Sequence, residues 1–364
     1  KLSRRRTMSY GGTRTSYHVW IGVGTTLFIA YILFTQSSSA DEDTGHVHGG
    51  EHPVTHSHLP LEEIRARARA AVLGAFVADA ASMPLHWIYD SNHLNSLVGN
   101  QDPAFFSPPS CPFYQYPLGE LSPYGDEALP LLESLAKRNG LDPHGFSEDL
   151  FKAFSEYKGR LNGASKEFLE NMKSGRTWPH CGASNNQAHS LVKVPAVVAR
   201  YVGTVELEIK MEEAIRVHQN HDQAVHFGVT AAKILEKVVL GDSISSALIW
   251  AENNNQLSRE AVSALKSSKH VQGRTLQDAV AGFGKTCHLP DSFQGPIYGL
   301  YSQTNYTQAV RNNIMAGGDS CSRGGFLAAM FAAQDGLGSI PEEWILQVRR
   351  YSDIENLVFQ VSPA

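Results

Sequence analysis

The chain has 364 residues, 42% of them hydrophobic and 18% charged, enough apolar material for a sizeable core without staples. Its four cysteines, Cys111, Cys181, Cys287 and Cys321, are scattered and form no CxxC pair, which excludes a disulfide framework and an ordinary structural zinc site. The net charge is −5, and Lys1, Arg4, Arg5, Arg6 and Arg14 gather basic charge at the start, so the remainder is more acidic than the total; nucleic-acid binding is excluded on that balance.

Residues 1–40 read as a basic start followed by one hydrophobic helix. Val19 to Phe34 carries no charge, slightly short for a spanning helix and slightly long for the apolar part of a signal. Met8 is a candidate start. Small residues at Ser38 and Ala40 suit cleavage, which would send the body to a secretory or organellar lumen. Retention of the run would instead leave a single-pass membrane anchor. Residues 41–60 are a linker rich in histidine (His46, His48, His52, His56 and His58), read as a flexible tether or a loose transition-metal binder.

From Leu61 to the end, apolar residues recur with a period near 3.6, and few stretches alternate. Ile64, Ala68, Val72, Ala75 and Phe76 form one stripe of a helix over 61–83, closed by Met83-Pro84. Residues 91–123, rich in proline and aromatics, read as a long irregular loop. Asp126 sits where an N-cap belongs, before a helix that Gly140 ends, with Pro130 near its first turn. Further helices are expected near 147–158, 187–201, 206–218, 222–240, 244–253, 258–268, 305–314, 321–335 and 341–350. Helices throughout, with no credible strand, make 61–364 an all-α globule, and no equal-period repeat makes it a solenoid.

Three segments carry chemistry. In AAVLGAFVADAASMPLHWIYD, residues 70–90, Asp79 falls on the apolar stripe, so its carboxylate must be hydrogen-bonded, paired or facing a metal. His86 and Trp87 follow it and are candidates for a pocket wall. In SPYGDEALPLLESL, residues 122–135, Asp126 and Glu127 place acceptors at a helix start, where ordinary capping is the simplest reading. In NNIMAGGDSCSRGGFLAAMFAAQDGLG, residues 312–338, Gly317-Gly318 permits a close backbone approach or a positive-φ turn, and Asp319, Cys321 and Ser322 cluster behind it. Oxygen ligands from two such helix starts, brought together, would suit Mg²⁺.

Together these segments resemble the ADP-ribosylglycohydrolase family, most closely its J1-crystallin-like branch, from about Glu63 to about Trp344. The resemblance implies an orthogonal multi-helix globule with Mg²⁺ in a central cleft, where a glycosidic bond to ADP-ribose is cleaved. It also implies metal ligands at Asp126, Glu127, Asp319 and Ser322, catalytic roles for Asp79 and Glu127, and substrate contacts at His86, Asn185 and Asn186. The sequence departs from the family pattern in each stretch. Ala78-Asp79-Ala80 is followed by His86 where an acidic residue is usual. Gly125-Asp126-Glu127-Ala128 lacks two threonine hydroxyls. Cys321 stands at a degraded ligand position, a soft donor where Mg²⁺ wants oxygen. One Mg²⁺ is therefore expected rather than two.

Other motifs carry less. Gly284-Lys285-Thr286 lacks the first glycine of a phosphate loop, because Ala279 stands there. His218, His221 and His226 lack a neighbouring carboxylate motif and read as structural. Two functions remain open from the sequence: a Mg²⁺-assisted hydrolase acting on ADP-ribose linkages, or a non-catalytic crystallin-like binding or structural protein of the same fold. Altered metal residues favour the second.

Overall fold

The central helix, α1 (Leu61–Ser82), is built for close packing. Its sequence is dominated by alanine, and Gly74 leaves so little room that an added Cβ would stand 2.6 Å from Ala332 Cβ. That approach sets α1 along the small-residue helix at the other end of the chain. Apart from Asp79, its charged residues fall between Glu62 and Arg69, where Glu62 pairs with Arg65 and Glu63 with Arg67 at the surface.

The computed structural model describes residues 59–271 and 273–362. The apolar run Val19–Phe34 and the five histidines of the tether lie outside the described residues. Sixteen α-helices and no strand make up the described part, which bears out the all-α class, though five of the sixteen (Ser91–Val98, Gly163–Lys173, Leu276–Phe283, Asp291–Ser302 and Tyr351–Val361) fall outside the helices expected from the sequence. After α1 come α2 (Ser91–Val98), α3 (Gly125–Arg138), α4 (Pro143–Glu156), α5 (Gly163–Lys173) and α6 (His189–Tyr201). Then follow α7 (Leu207–His218), α8 (Asp222–Val239), α9 (Ile244–Asn253), α10 (Arg259–Lys269), α11 (Leu276–Phe283) and α12 (Asp291–Ser302). The chain ends with α13 (Tyr306–Met315), α14 (Ser320–Asp335), α15 (Glu342–Ile345) and α16 (Tyr351–Val361). α14 packs on α1 and is flanked by α6, α8, α12 and α13, so the starts of α3 and α14 face a common interior.

The differences from expectation have local causes. α2 lies inside the stretch read as irregular; Asp90 caps it by accepting from the backbone N–H groups of Asn92 and His93, and only Leu94 and Val98 are buried. α12 carries two glycines and Pro296, breakers in isolation, yet Gly295 and Gly299 let Arg323 and Leu327 of α14 lie against it. Packing overrides propensity there. α3 begins at Gly125 with Tyr124 at its cap and no side-chain cap, so Asp126 sits inside the first turn rather than capping it. Pro130 consequently lies beyond that turn, inside the helix.

Leu61–Leu85 is long and apolar enough to cross a membrane, but 89% of its apolar window is buried in the helical body, as suits a core helix.

Candidate functional site

Three buried carboxylates lie around Tyr124, and each is already served by the chain itself. Asp79 accepts from Ser122 N–H at 2.7 Å and Ser122 Oγ at 2.5 Å. Gly125 must be glycine for this to happen, since a Cβ there would stand 2.3 Å from Asp79 Oδ2. Burial pushes the Asp79 carboxyl up to about 7, against the lowering pull of the Ser122 bonds.

Asp319 is fully buried at the start of α14. Its Oδ1 accepts from Trp87 Nε1 at 2.7 Å and lies 3.1 Å from His86 Nε2, while Oδ2 accepts from Tyr124 OH at 3.0 Å and Ser322 Oγ at 2.6 Å. Burial alone would raise this carboxyl; the hydrogen bonds of His86 and Ser322, with the charge of Arg323, more than offset it and hold it below the usual range. Cys321 N–H donates to His86 Nδ1 at 3.2 Å, so the His86 proton is on Nε2, facing Asp319. Burial lowers the pKa of His86 and keeps the ring neutral. The geometry is fixed by backbone: Trp87 is held at φ 63°, a strained value for an aromatic residue, by its N–H bond to Gly318 O. Gly318 itself has φ 63° and so little space that a Cβ would stand 2.3 Å from Lys285 O. The Gly-Gly turn therefore shows both properties expected of it.

Glu127 is the third. His189 Nδ1 lies 2.8 Å from its Oε2, Lys193 Nζ is 3.0 Å from its Oε1, and His218 Nδ1 is 3.2 Å from the same oxygen. Burial would raise Glu127, but His189 and Lys193 hold it well below the ordinary carboxylate range. His218 is pushed down to about 4, chiefly by burial. Glu127, His189 and His218 have ligand atoms within 4.8 Å of one another, a group able to hold a metal ion. Among the described residues no other such group of three exists.

The structure brings Asp79, Glu127, Asp319, Ser322 and Cys321 into one interior, while Asp126, near enough for its charge to raise Asp79, is engaged at the margin by Tyr157. The Asp126 carboxylate accepts from Tyr157 OH at 2.6 Å and is raised to about 6 by burial and by Glu120. Ser322 Oγ donates to Asp319, and Cys321 keeps its proton because burial and the charge of Asp79 raise it well above its ordinary range. His86 is wholly buried and faces Asp319 rather than the cleft. Asn185 and Asn186 tie down their loop: Asn185 Oδ1 accepts from Gln219 Nε2 at 2.9 Å, and Asn186 Nδ2 donates to Gln223 Oε1 at 2.9 Å.

Mg²⁺ does not fit these donors as they stand. Both oxygens of Asp319 already face two hydrogen-bonding groups each, Asp126 turns elsewhere, and the convergent group offers two imidazole nitrogens that suit borderline metals better.

The cleft above was only partly foreseen, through Trp87. Roughly 250 Å³ in volume, it is lined by Trp87, Tyr89, Phe113, Tyr124, Arg160, Asn162, Lys166, Gln187 and Cys287. The Arg160 guanidinium lies 5.5 Å from the Trp87 ring centre and 5.2 Å from that of Phe113. Tyr124 forms the partition between cleft and core, its ring 5.7 Å from His86 and 5.5 Å from His189.

The sequence profile of the family described as ADP-ribosylglycohydrolase matches residues 60–363. The chain belongs to the ADP-ribosylglycohydrolase family. Crystallin J1A of Tripedalia cystophora is 29% identical over 323 residues, covering 84% of this chain and 98% of its own. Crystallin J1B of the same animal is 28% identical over 322 residues, covering 83% and 98%. A solved structure of an ADP-ribosylglycohydrolase-related protein complex matches with a TM-score of 0.61 at 19% identity, over 82% of this chain and 98% of that one. At that identity it supports the fold alone. The J1-crystallin likeness and the family fold stand as the sequence implied.

Proposed function

We propose that this protein is a ligand-binding member of the ADP-ribosylglycohydrolase family in which the cleft takes an ADP-ribose-type ligand without metal-dependent hydrolysis. The observation that carries this reading is the pairing of an equipped cleft with a spent core. Arg160, held over Trp87 and Phe113, offers a cation and two aromatic faces to a molecule that has both a diphosphate and a purine. Lys166 adds a second positive charge, and Asn162 and Gln187 supply polar contacts. Below them, Asp79, Glu127 and Asp319 serve as structural acceptors, with Asp126 and Ser322 outside any metal role.

The alternative is Mg²⁺-assisted cleavage of a glycosidic bond to ADP-ribose, with Asp126, Glu127, Asp319 and Ser322 holding the ion. One observation favours it: Asp79, near 7, is in the range of a general acid or base, and Tyr124 lines both its small cavity and the cleft. Trp87 fluorescence separates the two. Titration with ADP-ribose should quench it saturably in the presence of a chelator, and ADP-ribosylated peptide should remain intact when Mg²⁺ is added. Release of ADP-ribose only with Mg²⁺ would establish the alternative.

Residues 1–40 are proposed to direct the body to a membrane or a lumen. Carbonate washing of membranes from cells expressing the whole chain tests this; unprocessed protein in the cytosol would refute it.

A further inference from the structure

The disagreement between the family's metal chemistry and these donors has a specific form around Lys193. This residue stands in an apolar run of α6 and is 1% exposed. Its Nζ lies 3.0 Å from Glu127 Oε1, 3.0 Å from His189 O and 3.2 Å from His218 Nδ1. Three acceptors match the three N–H bonds of an ammonium.

The acceptors are as informative as the donor. His218 Nδ1 and Glu127 Oε1 stand 3.2 Å apart, and both lie within 3.2 Å of Lys193 Nζ. Both atoms are set around the one ammonium. Around a tetrahedral metal with bonds of about 2.0–2.2 Å, ligand atoms also stand about 3.3 Å apart. His218 is oriented by Ser165 Oγ, 3.1 Å from its Nε2, and His189 by the Gln187 amide, 3.2 Å from its Nε2. Metal-binding histidines are steadied in the same way.

We infer that the Lys193 ammonium is the resident cation of this protein: it occupies a Glu127–His189–His218 metal site and closes that site to divalent ions. The ammonium is tethered, so its position costs no binding entropy, and the charge on Glu127 is balanced without an ion from solution. Removing the lysine side chain opens a site of one carboxylate and two imidazoles, a set for Zn²⁺ or Co²⁺ rather than Mg²⁺. Whatever ligand the cleft takes, this holds.

Co²⁺ is the probe, because its visible absorption reports nitrogen ligands and coordination number. Wild type should take up no Co²⁺ at this site. Lys193→Ala should bind one Co²⁺ at least about a hundredfold more tightly than wild type, with tetrahedral absorption that His218→Ala abolishes in the double variant. Equal Co²⁺ binding by wild type would show that Lys193 closes nothing, and a folded Lys193→Ala that binds none would show that the donors do not converge. Should Lys193→Ala be unfolded without metal, recovery of its helical circular dichroism on adding Co²⁺ supports the inference. If Co²⁺ restores nothing, the charge balance decides. Lys193→Met should be rescued in thermal stability by a second change, Glu127→Gln; a double variant no more stable than Lys193→Met overturns the assignment.

Discussion

The buried core and the cleft above it share Tyr124 but differ in how their polar groups are used. In the core, the carboxylates of Asp79, Glu127 and Asp319 are each consumed by donors within the chain. In the cleft, Arg160, Lys166 and the aromatic faces of Tyr89 and Phe113 point toward solvent. The contrast teaches that a carboxylate at a family position can be satisfied entirely by donors of its own chain. A buried carboxylate that has found enough donors is costly to remove.

Four perturbations sharpen the contrast. The largest effect is expected from Asp319→Ala, which strands Tyr124 OH, takes the acceptor from Trp87 Nε1 and removes the carboxylate facing His86; denaturant unfolding should show a loss of about 3–5 kcal/mol. A loss that is small without Mg²⁺ and grows with it would assign Asp319 to a metal instead.

Next comes the pH dependence of stability. The Asp79 carboxyl stands at about 7 in the fold against 3.8 when unperturbed, so the native state holds that proton more tightly than the unfolded chain does. Its contribution is fully present below about pH 4 and declines as pH rises toward 7. Asp319 and Glu127, held low, act oppositely: their contribution is present above the ordinary carboxylate range and is lost as pH falls below it. Asp79→Asn should therefore flatten the decline between pH 4 and 7 in a calorimetric melting series. An unchanged slope would place the titrating group elsewhere.

In the cleft, Arg160→Ala should leave the melting temperature unchanged and weaken ADP-ribose binding by about 1–2 kcal/mol, roughly tenfold, by calorimetry. The smallest effect is expected from Asp126→Asn, which trims a partly exposed acceptor of Tyr157; stability should fall by less than about 1 kcal/mol and ligand affinity should not move. A large loss of affinity in that variant would return Asp126 to the site.

The helical body was legible because its apolar period and caps are local signals, and α12 escaped because its glycines make sense only against Arg323 and Leu327. At the site, the stretches around Asp79, Glu127 and Asp319 were visible as motifs. Their partners were not: Lys193 is 66 residues from Glu127 and His218 is 91 residues from it, a pairing no spacing encodes. One signal was available. A lysine inside the apolar run of 191–199, one helical turn after His189, is a buried charge that needs an acceptor. Arg160 and Phe113 stand on irregular segments, where sequence carries no period to place them.

The central claim is that ligand recognition has been kept while the metal has been dispensed with. Calorimetric titration of ADP-ribose into the purified body, once in chelator and once in millimolar Mg²⁺, tests it most directly. Equal affinity and heat in the two buffers, with no hydrolysis product in either, is the predicted result. Binding that appears only with Mg²⁺ would contradict it.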